Sequence, residues 1–510
     1  MQLSDNDLRQ IDEAYLERLG QDSLRSLSGR LLLDLKEARE RLKQNSRNSS
    51  LPPSREAPWE KPPAQDVAAP EGEEPQDKEK MLPQASDDSE QEDKPAPQAK
   101  TDVKQHKRAG KVEGAQGHGR PAPQRVDVVE PHAVAHCAGC GASLAQHIGQ
   151  AYTGYYEVDW IRQGTGWAVR ITKHLFEECT CECGHVSQAR PFRGIEDGVD
   201  IGGFRLIGPG LASLIVALSK RYRMSRLRIQ EFLHDWLDVW ISTGAIHESL
   251  RETAAIVAPL EDELVKAVEQ SELLLADETT WPEQGASSLW LWVFIASRVV
   301  LYYISHRGQE LVRNLLEDFG GVLMSDGWQA YRWLPRRLRC WAHLKRKAQG
   351  LVDSLDTGAQ GFGKEVLALW DELREAVYKA REGPPGVSLR PGWEHRLRAF
   401  RTRCEAMQGS AHDKTHALAF EFLNDWEAIF RILENPFWPL TNNEAERTLR
   451  HWVILRQISH GTRTPEGSRY FALLASVIDT CRCRGHSPWP YLQDAITRRR
   501  QGLALPPLPA

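Results

Sequence analysis

The spacing of apolar residues changes along the chain and predicts regions of different structure. Between residues 1 and 45, apolar side chains recur at mixed helical spacings. They predict an N-terminal helical arm, either a coiled coil or a single amphipathic helix lying on another domain. Residues 46–125 are rich in Pro, Ser, Gln and charge, with Trp59 as their only aromatic residue. Such a segment cannot bury enough apolar surface to fold alone, so it predicts a disordered linker.

Residues 126–200 and 201–270 form the next two predicted regions. The first contains five cysteines among short β-type runs at 155–161 and 167–171. The second has helical spacing, and the stretch MSRLRIQEFLHDWLDVWISTGAIHESLRETAA predicts two helices, the second opening near Ser242 or Thr243. This pair is either a helix-turn-helix that reads DNA or a plain pair of packed helices. In the first case the side chains able to face DNA are Arg226, Arg228, His247 and Arg251.

From residue 271 the apolar period becomes that of strands. The runs SELLLAD, SLWLWVFIAS and RVVLYYIS predict three strands, GQELVRNLLEDF predicts a helix, and GVLMSD predicts a fourth strand. This order is the opening of a ribonuclease-H-like sheet. We therefore expect a multidomain α+β protein that contains a ribonuclease-H-like α/β catalytic domain.

Two aspartates end strands of this predicted sheet. Asp277 closes the first strand and Asp326 closes the fourth. If the two strands are adjacent, the carboxylates converge at the sheet edge where α/β proteins place ligands. Acids that only cap a helix or form a turn can give the same pattern.

A third acid is expected from the segment LTNNEAERTLRHWVILRQ. Thr441 and Glu444 have capping-box spacing, which would give Glu444 a structural role at the start of a helix. Glu446 would instead lie on a polar stripe that suits metal and phosphate. The other members of this stripe are Asn442, Asn443 and Arg450.

Four motifs carry a resemblance to a known family. LLLADETTW, LMSDGWQAY, CWAHLKRK and TNNEAERTLR, with the flanking regions, resemble insertion-sequence-66 family transposases, which have a DDE catalytic domain of ribonuclease-H-like fold. The resemblance implies Asp277, Asp326 and Glu446 as the catalytic acids. It also implies a core in two parts, 271–347 and 439–510, separated by a helical insertion at 348–438. Carboxylate oxygens at such a site suit two Mg²⁺ ions, or Mn²⁺.

The motif CWAHLKRK adds candidate DNA contacts beside the acids. Cys340 and His343 form a C-x-x-H pair before a basic helix. His343 either contacts DNA, orders the active site, or packs at a strand-to-helix junction. Lys345, Arg346 and Lys347 are expected to face solvent and to touch phosphates.

The cysteine cluster predicts a structural zinc site. Two cysteine pairs about 40 residues apart would supply four thiolates, the closed ligand shell of a structural Zn²⁺. We predict Cys137, Cys140, Cys181 and Cys183 as ligands. The alternatives are Cys179 in place of Cys181, ligation by His136 or His185, and reduced cysteines without metal.

Charge and targeting signals refine this interpretation. The formal net charge of -5 does not by itself indicate a nucleic-acid partner, but Lys and Arg cluster between residues 100 and 125. No signal peptide or membrane span is predicted, so we expect a cytoplasmic protein that joins the nucleoid when it binds DNA.

The predicted function is metal-dependent cleavage of element ends and strand transfer into target DNA. The expected partners are DNA, further copies of the chain and accessory proteins encoded by the same element. Two alternatives are a ribonuclease-H-like nuclease without strand transfer and a non-catalytic DNA-binding protein derived from a transposase.

Overall fold

The computed structural model describes residues 20–42, 125–286, 288–384 and 387–510. Helix α1, Gln21–Leu42, lies within the predicted N-terminal arm. The rest of that arm and the predicted linker, apart from residue 125, lie outside the described residues. Among the described residues, no helix combines the length and the apolar character needed to cross a membrane.

A four-stranded sheet contains the cysteine region. It has the order β1-β3-β2, with β4 also paired to β3. β2 and β3 form a long antiparallel hairpin, and β1 runs parallel to β3. The two β-type runs expected here, 155–161 and 167–171, therefore lie within longer strands. The strands are β1 Val128–His132, β2 Gln150–Gln163, β3 Gly166–Thr180 and β4 Val186–Gln188.

A short hairpin and four helices follow. The hairpin consists of β5, Arg193–Glu196, and β6, Val199–Gly202. The predicted helix pair is confirmed, because the hydroxyl of Ser242 accepts the N–H of Ala245 and begins the second helix of that pair. The helices are α2 Pro209–Val216, α3 Arg226–Leu237, α4 Thr243–Val257 and α5 Leu260–Glu269.

A five-stranded mixed sheet forms the centre of the described structure. Its order is β11-β10-β7-β8-β9, in which β7, β8 and β9 are antiparallel neighbours and β10 and β11 run parallel to β7. Helix α6, Gln309–Leu315, connects β9 to β10. The predicted order of strands and helix is confirmed. The strands are β7 Leu273–Trp281, β8 Leu289–Ala296, β9 Val299–His306, β10 Val322–Ser325 and β11 Arg337–Arg339.

Helices dominate the remainder of the described chain. Helix α13 covers the edge strand β9, where the hydroxyls of Ser476 and Thr480 accept the N–H groups of Tyr302 and Val300. These bonds satisfy backbone donors that an edge strand leaves unpaired. The helices are α7 Trp341–Val352, α8 Thr357–Arg381, α9 Arg390–Met407, α10 Asp413–Asn424, α11 Trp426–Phe430, α12 Asn443–Ser459, α13 Pro465–Cys483 and α14 Pro488–Arg500.

One apolar core connects the helices to the central sheet. It contains buried residues from Val158 to Leu508, whereas a small second cluster surrounds the cysteines. β8 is buried from Leu291 to Ala296. This burial agrees with its sequence, which is apolar along the whole strand. The chain is thus a mixed α/β protein with more than one sheet.

Candidate active site and cysteine cluster

The strand register brings Asp277 and Asp326 to the same place. In the parallel pair of β7 and β10, Leu275 lies opposite Met324. Asp277 lies two residues after Leu275 on β7, and Asp326 lies two residues after Met324, directly beyond the end of β10. The prediction that Asp277 ends its strand is wrong, because β7 continues to Trp281 in its pairing with β8. β10 ends at Ser325, whereas β7 continues. The end of β10 therefore leaves this part of the sheet exposed, and the end of β7 does not.

Backbone contacts hold both aspartates in place. Asp277 accepts the N–H of Glu278 at 3.0 Å, and Asp326 accepts the N–H of Trp328 at 2.9 Å. The second contact stabilises the turn that directly follows β10.

Glu446 reaches this region from the first turn of α12. The predicted capping box does not form, because the N-cap is Asn442 rather than Thr441 and it makes no side-chain cap bond. Glu444 is exposed, while Glu446 is half-buried. Glu446 is thus the better candidate for the site because it lies toward the sheet, and not because Glu444 has a capping role.

Asn442 fixes α12 against the sheet. Its side chain is fully buried, and its Nδ2 donates to the carbonyl of Ala276 at 2.8 Å. Its backbone N–H contacts the Cys340 sulfur at 3.1 Å. Asn442 therefore anchors the helix to the residue that precedes Asp277, and its burial separates it from the exposed members of the expected polar stripe. Asn443 and Arg450 are exposed.

The basic helix α7 contacts Glu446 directly. Arg346 donates to Glu446 Oε1 at 3.0 Å, and His343 Nε2 lies 3.8 Å from the same oxygen. Cys340, His343 and Glu446 place their donor atoms within 4.8 Å of one another, and neither aspartate belongs to this group. The expectation that all three basic residues face solvent is correct only for Lys345, since Arg346 pairs with Glu446 and Lys347 pairs with Glu421.

The carboxylates create a site with strong negative potential. Burial raises the pKa of Asp277 well above its ordinary value, and the charges of Glu278, Asp326 and Glu446 raise it further. Burial likewise raises the pKa of Glu278 to about 7, with a contribution from Asp326. Because each acid disfavours ionisation of its neighbours, a bound cation would stabilise the charged form of the set.

Glu278 is a neighbour of the site that the sequence pattern did not single out. Its side chain is 2% exposed and pairs with Arg307 at 2.9 Å. Tyr331 donates to its second oxygen at 3.0 Å. Arg307 also lies over the rings of Trp290 and Trp328. The only hint in the sequence was that Glu278 directly follows Asp277.

A buried ionic network supports the strand next to Asp326. Arg339 is 1% exposed and donates to Asp425 and Glu421 on or beside α10. A side chain at Gly327 would meet the Arg339 guanidinium at 2.5 Å, so only glycine fits the backbone immediately after Asp326 without a shift. Arg337 and Lys347 complete the network by contacting Asp425 and Glu421. Long-range pairs of this kind have no local sequence signature.

A cleft opens beside Asp326. Its volume is about 630 Å³, and it lies between the sheet edge and α10. Three of the cations on its wall pair with acids: Arg307 with Glu278, Arg332 with Asp425 and Lys347 with Glu421. The charged and titratable lining includes Arg307, Asp326, Arg332, His343, Lys347, His416 and Glu421.

Four cysteines meet in the small sheet region. Cys137 Sγ lies 3.7 Å from Cys183 Sγ, and Cys140 Sγ lies 3.5 Å from Cys181 Sγ. All four sulfurs are within 4.8 Å of one another. This cysteine cluster could therefore hold zinc.

The alternative zinc ligands lie outside this group. Cys179 is buried but does not belong to it, and neither do His136 and His185. A turn contains Cys181 and Cys183; it is closed by the N–H of Gly184 donating to the carbonyl of Cys181 at 2.8 Å, and Gly184 has a φ of +83°.

The helix pair α3 and α4 presents few free cations among the residues expected to face DNA. Arg228 pairs with Glu231 at 2.7 Å, and Arg251 pairs with Glu466 at 2.8 Å. Burial lowers the pKa values of Arg226 and His247. Both helices pack on the main core, because Ile229, Leu233 and Ile246 are fully buried in it.

Comparison with known proteins identifies the family. The model of the transposase IS66 family matches residues 205–470. The chain therefore belongs to this family, as the sequence motifs predicted. The matched region contains Asp277, Asp326 and Glu446 but not the four cysteines. Membership in a transposase family implies that the protein acts on DNA.

Two relatives come from Sinorhizobium fredii (strain NBRC 101917 / NGR234). The uncharacterized protein y4qI is 25% identical over 414 residues, which are 74% of this chain and 72% of the relative. The uncharacterized protein y4hP is 24% identical over 430 residues, or 74% of this chain and 73% of the relative.

Proposed function

We propose that the protein is a DDE transposase with a ribonuclease-H-like catalytic core. The mixed strand order of the central sheet supports this fold, because three antiparallel strands are extended by two parallel ones in the order β11-β10-β7-β8-β9. In this proposal the core consists of residues 271–347 and 439–510. Residues 348–438, which contain α8 to α11, are a helical insertion that separates Glu446 from the aspartates in sequence.

The proposal rests on the charges of Asp326 and Glu446 acting on Asp277. The three acids come from β7, the residue directly after β10 and the start of α12, and both other carboxylates help to raise the pKa of Asp277. Their hard oxygen donors and the charge repulsion around Asp277 fit divalent Mg²⁺ or Mn²⁺. Two such ions, when bound, activate the attacking oxygen and stabilise the leaving oxygen of an in-line displacement.

Neighbouring side chains hold this constellation and its substrate. Asn442 anchors α12 to β7, while Arg346 and His343 orient Glu446 through its Oε1. DNA would enter the cleft beside Asp326 and contact the cations that line the cleft. Lys345, close to His343 in sequence, and Arg450, close to Glu446, are further exposed charges. In this arrangement the main role of Arg346 is to position Glu446, and contact between Arg346 and a phosphate is secondary.

The reaction proceeds in two displacements at phosphorus. In the first, water attacks the phosphodiester at an element end and frees a 3′-OH. In the second, this hydroxyl attacks target DNA, so one phosphodiester bond forms as another breaks. No external energy source is needed for the joining step.

The remaining regions would serve DNA recognition and assembly. We propose that Cys137, Cys140, Cys181 and Cys183 bind a structural Zn²⁺ that folds the region 126–200. The helical region 201–270 would contribute to DNA binding. Further copies of the chain, and accessory proteins from the same element, would complete the assembly at the nucleoid.

Incubation of the purified chain with Mg²⁺ and DNA carrying native element ends tests the proposal. We expect nicked element ends and, with target DNA present, joined products. Asp277→Asn and Asp326→Asn should each abolish cleavage while end binding in a mobility-shift assay remains. Cleavage without joined products would identify a nuclease, and binding without cleavage under any partner combination would identify a DNA-binding protein. Full activity of either variant would exclude the proposed acids.

A further inference from the structure

A second compact group of metal-binding side chains lies on the small sheet, apart from the cysteines. Glu130 and His132 are on β1, and His174 is on the neighbouring strand β3. The register places Glu130 opposite His174, and His132 follows on the same face of β1. One donor atom from each of the three residues lies within 4.8 Å of the others.

The separations of these donor atoms match a common metal ion. His132 Nε2 lies 3.0 Å from His174 Nδ1, and Glu130 Oε2 lies 3.5 Å from His174 Nδ1. Ligands at about 2.0–2.1 Å from a tetrahedral Zn²⁺ are roughly 3.3 Å apart, between these two values. The cysteine cluster shows the same agreement, since its sulfurs are 3.5 and 3.7 Å apart. Thiolates at about 2.3 Å from Zn²⁺ should be separated by roughly 3.8 Å.

Aromatic neighbours fix the two imidazole rings. His132 stacks on Phe176 with ring centroids 4.4 Å apart, and Tyr155 stacks on His174 at 4.8 Å. Within the described residues, the buried Nε2 of His174 has no hydrogen-bond partner. The polar contacts of this ring are therefore on the Nδ1 side, which faces Glu130 and His132. The Glu130 side chain is 55% exposed, so water can reach the group.

We propose that Glu130, His132 and His174 form a second transition-metal site, which takes Zn²⁺ or a similar divalent ion such as Co²⁺. Two imidazoles and one carboxylate are ligands that these ions accept, and a solvent ligand would complete the shell. The ion would cross-link β1 to β3. This matters for β1 because β3 is its only strand neighbour in the described sheet.

Metal content of the full-length protein tests this site. After dialysis against zinc-free buffer, elemental analysis should find two equivalents of zinc per wild-type chain. Glu130→Gln and His132→Gln should each retain one equivalent, and Cys140→Ser/Cys183→Ser should also lose one. The exposed His147 offers a matched control, because His147→Gln should retain both. His343→Gln should retain both as well, which distinguishes the site from the donor group around Glu446.

A cobalt titration provides a second readout that does not depend on the cysteines. In the Cys140→Ser/Cys183→Ser protein, Co²⁺ should give d–d absorption without a thiolate charge-transfer band, and this absorption should disappear on adding Glu130→Gln. Circular dichroism checks that each variant is folded. One zinc equivalent in the wild type, or two in folded Glu130→Gln and His132→Gln, would overturn the proposal and leave a hydrogen-bonded histidine pair. The test does not require transposase activity.

Discussion

Replacing Arg339 by methionine tests the ionic network that supports the strand beside Asp326. The substitution removes two charge-assisted hydrogen bonds, to Asp425 and Glu421, from a position with 1% exposure. Each such bond contributes about 1.5–3 kcal/mol. Asp425 retains Arg337 at 3.1 Å and Glu421 retains Lys347 at 2.6 Å, so neither acid is left without a partner. Because both acids stay paired, we expect a loss near the lower end of the sum for two bonds, about 3 kcal/mol, in the free energy of unfolding.

Urea denaturation followed by circular dichroism measures this loss. The double variant Arg339→Met/Asp425→Leu should lose further stability, because the largely buried Arg337 then loses its own partner. Arg396→Met is a matched control, since its pair with Glu372 is partly exposed at the surface and should contribute less than about 1 kcal/mol. A loss below about 1 kcal/mol for Arg339→Met would refute the reasoning.

Three further changes probe other parts of the structure. Lys347 and Arg339 outweigh the effect of burial and hold the pKa of Glu421 below its ordinary value; its stabilisation is therefore complete above about pH 4.5 and lost as pH falls through the lowered pKa. Urea titrations should find Glu421→Gln about 1–2 kcal/mol less stable at pH 7 and closer to wild type at low pH, and a pH-independent gap would contradict this. Asn442→Leu removes the hydrogen bond to the carbonyl of Ala276 and should lower the free energy of unfolding by about 1–3 kcal/mol. The same variant should slow cleavage at least about tenfold in the element-end assay. Cleavage at the wild-type rate would argue against the positioning role of Asn442. Gly461→Ala places a Cβ 1.9 Å from a backbone oxygen at a φ of +83°; thermal unfolding should show a loss of about 1–3 kcal/mol or more, and an unchanged Tm would contradict the strain.

The sequence was most informative where local patterns dominate. Alternating and continuous apolar runs predicted the order of β7, β8, β9, α6 and β10, because burial fixes which residues a strand can carry. Asp277 and Asp326 could be selected for the same reason, since a charged residue at the end of an apolar run marks the edge of the core. The four cysteines selected from the spacing are also the ones that meet in the structure.

Features that depend on long-range packing were not accessible from the pattern. Asp277 lies within β7 because β8 extends the pairing, which the sequence of β7 alone does not reveal. Thr441 has the correct spacing for a cap, but packing of Asn442 against Ala276 moves the start of α12 by one residue. Similarly, Arg346 appeared to be one of three equivalent cations until the position of Glu446 gave it a partner.

The comparison of Glu446→Gln with Glu444→Gln tests the central proposal most directly. Both acids lie in the first turn of α12, but only Glu446 faces Arg346 and the aspartates, while Glu444 is exposed. In an assay of strand cleavage with Mg²⁺ and native element ends, Glu446→Gln should lose cleavage while Glu444→Gln retains it. Both should bind the ends. Wild-type cleavage by folded Glu446→Gln, or loss only in Glu444→Gln, would contradict a catalytic site built from Asp277, Asp326 and Glu446.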